Sequence, residues 1–147
     1  FIQLAIDMPL DVRFIELMPM GDNTDNSTRI PTDEVLAARP WLEPIPPRYA
    51  SQPSTDYIMD GLKGRIGFIS PISHTFCGKC NRVRAMSDGM LRPCLGNNSE
   101  VSLLEALREG DDALKRVIYD AISEKPSGHQ FNDEDVQSSK TMSRIGG

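Results

Sequence analysis

The sequence predicts an α/β fold: the end of a parallel barrel, then an antiparallel sheet with covering helices. Three observations predict it. Asp11 to Met18 holds a near-continuous apolar run, which suits a strand buried on both faces, as in a parallel barrel. Asp56–Met59, Arg65–Ser70 and the runs either side of Asp88-Gly89 read as strands joined by glycine-containing turns. The stretch after Cys94 carries two apolar stripes at helical spacing.

The 147 residues suffice for one domain with a modest core. A net charge of −5 argues against nucleic-acid binding by bulk charge. No apolar run approaches the roughly 20 residues a membrane helix needs. Three clustered cysteines fit a reducing compartment.

Phe1 to Ile6 reads as the last turn of a helix, with Asp7 to Leu10 as its exit loop. Because the chain opens on Phe1, already inside an element, it is expected to be shortened at its N-terminus. Arg13 and Glu16 interrupt the strand that follows, as a structural pair or as solvent contacts at its end. Met18 by itself reads as core, since methionine fills gaps. Met20 to Arg29 is polar, with Gly21-Asp22-Asn23 as a turn signal. Thr32 is expected to cap a helix running to about Ala38, with acids in its first turn, and Pro40 stops it. Residues 40–54 are proline-rich and read as a loop or edge segment.

Asp56–Met59 and Arg65–Ser70 pair across a turn near Gly61 and Gly64, and Pro71 delivers the chain to His74 and Cys77. Past Cys94, Gly96 to Ser99 is a turn. A helix is expected from about Val101 to Arg108, capped by Gly110. Another starts at Asp111 or Asp112 and ends at Pro126, with Leu114, Val117, Ile118, Ala121 and Ile122 on its core stripe. His129 reads as a local hydrogen-bonder or a solvated loop residue. Asn132 to Thr141 would pass for disorder, and the residues after it for a frayed tail.

All three cysteines fall between residues 77 and 94, spaced Cys-x2-Cys-x13-Cys. Asp88-Gly89 favours a two-residue turn with positive φ at both positions. That turn sets Arg84 opposite Pro93 and Val83 opposite Cys94, and folds Cys94 back towards Cys80. Three converging thiolates suit a metal, because an odd number cannot all pair as disulfides. A cubane iron–sulfur cluster takes a Cys-x2-Cys pair and a distant third, leaving one iron without a protein ligand. Zinc asks for four ligands, and His74 stands three residues before Cys77. Buried thiols without a metal are the alternative that this spacing disfavours. Arg82 and Arg84, two apart on a strand, share a face. Guanidinium groups pair with phosphate or carboxylate, so an anionic substrate fits beside the metal. A solvated strand face is the plainer account of both.

The order Phe-Cys-x2-Cys-Asn-Arg-Val-Arg at 76–84, with Arg-Pro-Cys-Leu at 92–95, resembles the C-terminal half of the GTP 3′,8-cyclases. These are the radical S-adenosylmethionine enzymes that open molybdenum cofactor biosynthesis. The resemblance runs from about Asp11 to Gly147. It implies residues 1–30 as the end of a truncated, partial (β/α) TIM-like barrel. Residues 31–147 are then the iron–sulfur, GTP-binding region with a Gly-Gly tail. Arg-Phe-Ile-Glu-x-Met at 13–18 matches a late barrel strand, which implies that Met18 touches S-adenosylmethionine.

The resemblance further implies a [4Fe–4S] cluster on Cys77, Cys80 and Cys94 with one open iron, and GTP binding by Arg82, Val83 and Arg84. It makes Gly146 and Gly147 catalytic, as two residues slim enough for a narrow channel. The implied reaction is a lyase reaction. It converts GTP to (8S)-3′,8-cyclo-7,8-dihydroguanosine 5′-triphosphate through a 5′-deoxyadenosyl radical. S-adenosylmethionine and a second [4Fe–4S] cluster belong to a barrel whose Cys-x3-Cys-x2-Cys triplet is not in this sequence. The piece alone is therefore expected to be inactive and, with open strand edges, poorly soluble. Other implied partners are a reductant and, as one open assembly, a homodimer, but no nucleic acid and no membrane. The implied location is the cytoplasm, or the mitochondrial matrix in a eukaryote. A zinc-stabilised Cys3His module and an auxiliary-cluster domain of another radical enzyme are the alternatives. The paired arginines and terminal Gly-Gly argue against the second.

Overall fold

The computed structural model describes residues 1–21, 26–131, 140, 141 and 145. The chain divides into two units, Phe1–Met18 with Asn26–Cys80, and Pro19–Asp25 with Asn81–Gly147. The described residues form a mixed α/β chain with one mixed sheet, one antiparallel sheet and four α-helices. No helix among them is long and apolar enough to cross a membrane.

The first unit rests on strands β1 (Val12–Ile15), β2 (Glu43–Ile45), β3 (Thr55–Ile58) and β4 (Ile66–Ile69), in the order β1-β4-β3-β2. β1 runs parallel to β4, and the other pairs are antiparallel. Helices α1 (Ile2–Asp7) and α2 (Thr32–Ala37) complete it. Ala5, Leu42, Ile66 and Phe68 are the buried core. Phe14 lies opposite Phe68 in register, and their rings stack at 5.5 Å, while Tyr57 meets Phe68 edge-on at 5.6 Å. Such ring pairs add about 0.5–1.5 kcal/mol each beyond simple burial.

Two expectations change here, and a third, an edge segment in residues 40–54, holds. β1 pairs in parallel as expected, but it lies at the sheet's edge and is not buried on both faces. Val12 and Phe14 are half-buried, whereas Ile15 is 61% exposed. Thr32 does not cap α2, whose cap residue is Pro31. The Thr32 hydroxyl instead pairs with the Ser70 hydroxyl at 2.6 Å, a buried partner that outcompetes the helix end. The proline-rich stretch contributes β2, an edge strand, where the missing N–H of Pro44 costs little.

The second unit carries β5 (Arg84–Ala85), β6 (Met90–Arg92) and β7 (Val101–Ser102) in sequential antiparallel order. Helices α3 (Leu103–Glu109) and α4 (Asp111–Ser123) both pack on β6 and on each other. Val101 and Ser102 pair with β6 and so do not open the helix. Ser102 then caps α3, its side chain accepting the Glu105 N–H at 3.1 Å. The helical stripes are core only in part. Ala106, Ala113 and Ala121 are buried, while Leu104, Leu107 and Ile122 stay about half exposed.

In the first unit, Arg48 donates to Asp11 at 2.5 Å. That hydrogen bond holds the Asp11 carboxyl below its ordinary value of 3.8, against a smaller opposing effect of burial. A depressed carboxyl stabilises the fold above its unfolded pKa and loses that contribution as pH falls through the folded one. Asp11→Asn should therefore lower the melting temperature at pH 7, and the gap to wild type should narrow as pH drops below 3.8. A gap that is independent of pH would count against this pair.

Candidate functional site

The hairpin forms, one residue out of the expected register. Arg84 pairs with Arg92 and Ala85 with Leu91, so Arg84 does not face Pro93. The physical reason is the turn. No residue other than glycine adopts positive φ among the described residues, so Asp88-Gly89 does not form the two-residue turn that needs it at both positions. The chain instead makes a three-residue loop, Ser87-Asp88-Gly89. The Gly89 N–H reaches the Met86 carbonyl at 3.0 Å, and Gly89 alone is left-handed, at φ 79°. Asp88 accepts the Met90 N–H at 3.1 Å.

β5 begins at Arg84, so Arg82 and Val83 precede the ladder and do not extend it. Arg82 and Val83 are exposed, and Arg84 is half-buried. Arg92 is buried at 1% exposure. Its Nε donates to the Asn97 carbonyl at 3.0 Å, Nη2 also reaches that carbonyl, and Nη1 lies 3.3 Å from Glu100. Burial pushes the Arg92 guanidinium pKa down, and Glu100 and Cys94 push it back up. Arg92 thus shapes the loop around Cys94 and is committed to protein groups.

In the first unit, Cys77–Lys79 is a single 3₁₀ turn, and the Cys80 N–H bonds the Cys77 carbonyl at 3.0 Å. Both thiols are half-buried. The segment before the turn is pinned by side chains. Buried Glu16 accepts the N–H groups of Ile72 and Ser73, both at 2.9 Å, through one oxygen, and Arg29 lies 3.9 Å from the other. His74 places Nε2 2.8 Å from the Asp33 carboxylate. A cavity of about 430 Å³ is lined in part by Thr32, Tyr57, Ser70, His74, Phe76 and Lys79. Burial raises the Tyr57 phenol pKa, so this wall presents a neutral hydroxyl.

Cys77 and Cys80 belong to the first unit and Cys94 to the second. All three are half-buried thiols outside any disulfide, the donor chemistry that an iron–sulfur cluster takes. Among the described residues, no group of three or more histidine, cysteine or acidic side chains is gathered as a metal site. Met18 is half-buried beyond the end of β1. Gly146 and Gly147 lie outside the described residues, as do Asp22 and Asn23 of the expected turn and most of the polar tail.

Sequence reasoning missed Glu16 as an anchor, gave Arg92 no role beyond its place in the Arg-Pro-Cys-Leu motif, and missed Lys125 altogether. The Lys125 ammonium bonds the carbonyls of Arg82, at 2.9 Å, and Pro93. The only signal was a charged residue inside or beside an otherwise assigned element.

Residues 10–131 match the family model described as Molybdenum Cofactor Synthesis C. The whole chain is 43% identical over 150 residues to a GTP 3′,8-cyclase of Alkaliphilus oremlandii, covering 47% of that protein. It is 37% identical over 153 residues to one of Moorella thermoacetica, again covering 47% of it. For one of Brucella ovis the identity is 42% over 139 residues, 88% of this chain and 40% of the relative. The chain therefore spans about half the length of the curated relatives it matches.

Glu16→Ala would strand two N–H donors in the segment leading to Cys77. It should destabilise the fold by about 2–4 kcal/mol, read by urea unfolding. A change below about 0.5 kcal/mol, the range of an ordinary surface substitution, would refute the anchoring role.

Proposed function

This chain belongs to the Molybdenum Cofactor Synthesis C family, and from that premise we propose that it is the substrate-binding, cluster-bearing part of a GTP 3′,8-cyclase. The observation that carries the reading is alignment of the whole chain with proteins of that name. Such an enzyme converts GTP to (8S)-3′,8-cyclo-7,8-dihydroguanosine 5′-triphosphate at the start of molybdenum cofactor biosynthesis. The second cluster and the radical step fall to the half of the relatives' length not spanned here. On this reading β1, parallel to β4, is the end of a partial TIM-like barrel. Residues 1–30 serve that barrel and 31–147 serve the substrate, a functional division that differs from the boundaries of the two units.

Cys77, Cys80 and Cys94 would hold a [4Fe–4S] cluster, their three half-buried thiols supporting that assignment. When bound, the cluster supplies an iron with an open position for the purine end of GTP. The rest is the work of side chains. Arg82, exposed before β5, and Arg84, at its start, give charge-assisted hydrogen bonds to the triphosphate. Val83 carries the chain between them. Arg92 takes no part in binding, because Asn97, Asn98 and Glu100 occupy its donors. Met18 is assigned to S-adenosylmethionine and Gly146-Gly147 to the active site. A reductant for the clusters and a reducing compartment follow from the same reading.

Anaerobic reconstitution should load about four irons per chain with broad visible absorption, and the loaded chain should bind GTP. Arg82→Ala and Arg84→Ala should each weaken that binding about tenfold or more, the scale of one charge-assisted hydrogen bond. A chain that takes one zinc and no iron would instead support a zinc module. One that loads iron but ignores GTP would point to another radical enzyme.

A further inference from the structure

The two strands of the hairpin stop pairing before they reach Arg82 and Cys94. Their last ladder pair is Arg84 with Arg92. The next residue on the returning strand is Pro93, which lies outside β6. Counted onward, the same register sets Val83 level with Pro93 and Arg82 level with Cys94. Two carbonyls beyond that last pair share one donor: the Lys125 ammonium bonds the Arg82 carbonyl at 2.9 Å and the Pro93 carbonyl as well.

Lys125 follows the end of α4, and Pro126 turns the chain away from the helix. From there the chain returns across the loop that bears Cys94. The Gln130 N–H bonds the Gly96 carbonyl at 2.8 Å. His129 packs on Phe131 with ring centres 4.8 Å apart. A Cβ on Gly96 would stand 2.5 Å from the His129 Cβ, so only glycine admits this crossing. Residues 125–131 therefore grip the backbone on both sides of Cys94, at Pro93 and at Gly96.

We propose that Lys125 is a positioning residue for nucleotide binding, setting the spacing between the Arg82 strand and the Cys94 strand. The proposal rests on the functional reading above. Lys125 is half-buried, and water can replace it on either carbonyl. Its loss therefore unclips the strands without unfolding the unit, and the arginines lose their fixed place relative to Cys94.

The test uses the whole chain, reconstituted with iron and sulfide, and compares wild type, Lys125→Gln, Lys125→Arg and a distant control, Lys115→Gln. The readouts are iron content, melting temperature, Kd for GTP, and the change that GTP makes in the electron paramagnetic resonance spectrum of the reduced cluster. For Lys125→Gln we expect a Kd raised about tenfold, a smaller spectral change on adding GTP, and iron content and melting close to wild type. Lys125→Arg should raise Kd by a smaller factor, since its wider planar fork spaces the carbonyls differently. Lys115→Gln should change nothing. A wild-type Kd and spectrum in Lys125→Gln would overturn the proposal. If that variant does not fold, an unchanged Kd in Lys125→Arg overturns it in the same way. A wild-type chain that binds neither iron nor GTP would sink the functional reading itself, and the Lys125 proposal with it.

Discussion

A thiol offered to a ligand cannot also anchor its own backbone, so the peptide groups around it must be held from elsewhere. Folded chains seldom leave such groups unpaired. Here three charged side chains meet that demand. The Glu16 carboxylate accepts two N–H groups ahead of the Cys77 turn. Arg92 donates to the Asn97 carbonyl after Cys94, and Lys125 to the carbonyls of Arg82 and Pro93. The sign of each charge suits the groups it holds, since the anion serves N–H donors and the cations serve carbonyls. Charge-assisted bonds of this kind are roughly twice as strong as neutral ones, which suits loops with no regular ladder.

The same logic reaches the turn of the hairpin. Lys140 lies 2.7 Å from Glu100 and 3.6 Å from Asp88, so one ammonium ties the loop after Cys94 to the turn between the strands. The Glu100 hydrogen bond raises the Lys140 pKa, so the lysine remains charged when the pair forms. Glu100 also meets Arg92 through its other oxygen. Glu100 thus faces two cations, and its half-buried carboxylate compensates the buried guanidinium. Removing Glu100 would take the carboxylate at 3.3 Å from the buried Arg92 guanidinium, the costly way to break an ion pair.

Much of the fold was legible because it depends on local chemistry. β3 and β4 follow from two runs joined by a turn around Gly61 and Gly64, α3 and α4 from apolar spacing and Gly110, and the hairpin from Asp88-Gly89. What failed depended on competition between partners. Thr32 looked like a cap, but Ser70, 38 residues away, claimed its hydroxyl. Val101 and Ser102 looked helical until β6 paired with them. The register differs by one because the loop takes in Ser87 as well, with Gly89 alone at positive φ. At the candidate site the cysteine spacing stood out, since residue type and separation carry that signal. The anchors did not. Glu16 lies 56 residues from Ile72, and Lys125 lies 43 from Arg82. No local pattern announces a contact over such distances.

The two cationic anchors also show why arginine sits at one place and lysine at the other. Arg92 is sealed in, and its planar fork lays two donors on a single carbonyl while a third faces Glu100. A guanidinium is weakly hydrated, so burying it costs less than burying an ammonium. Lys125 faces a different geometry: two carbonyls from separate strands, approached from the half-exposed end of a helix. Three donors on a freely rotating ammonium can satisfy two acceptors at once. The choice of cation at each position suits the carbonyls it must reach: one backbone carbonyl for the fork of Arg92, and two, eleven residues apart in the chain, for the ammonium of Lys125.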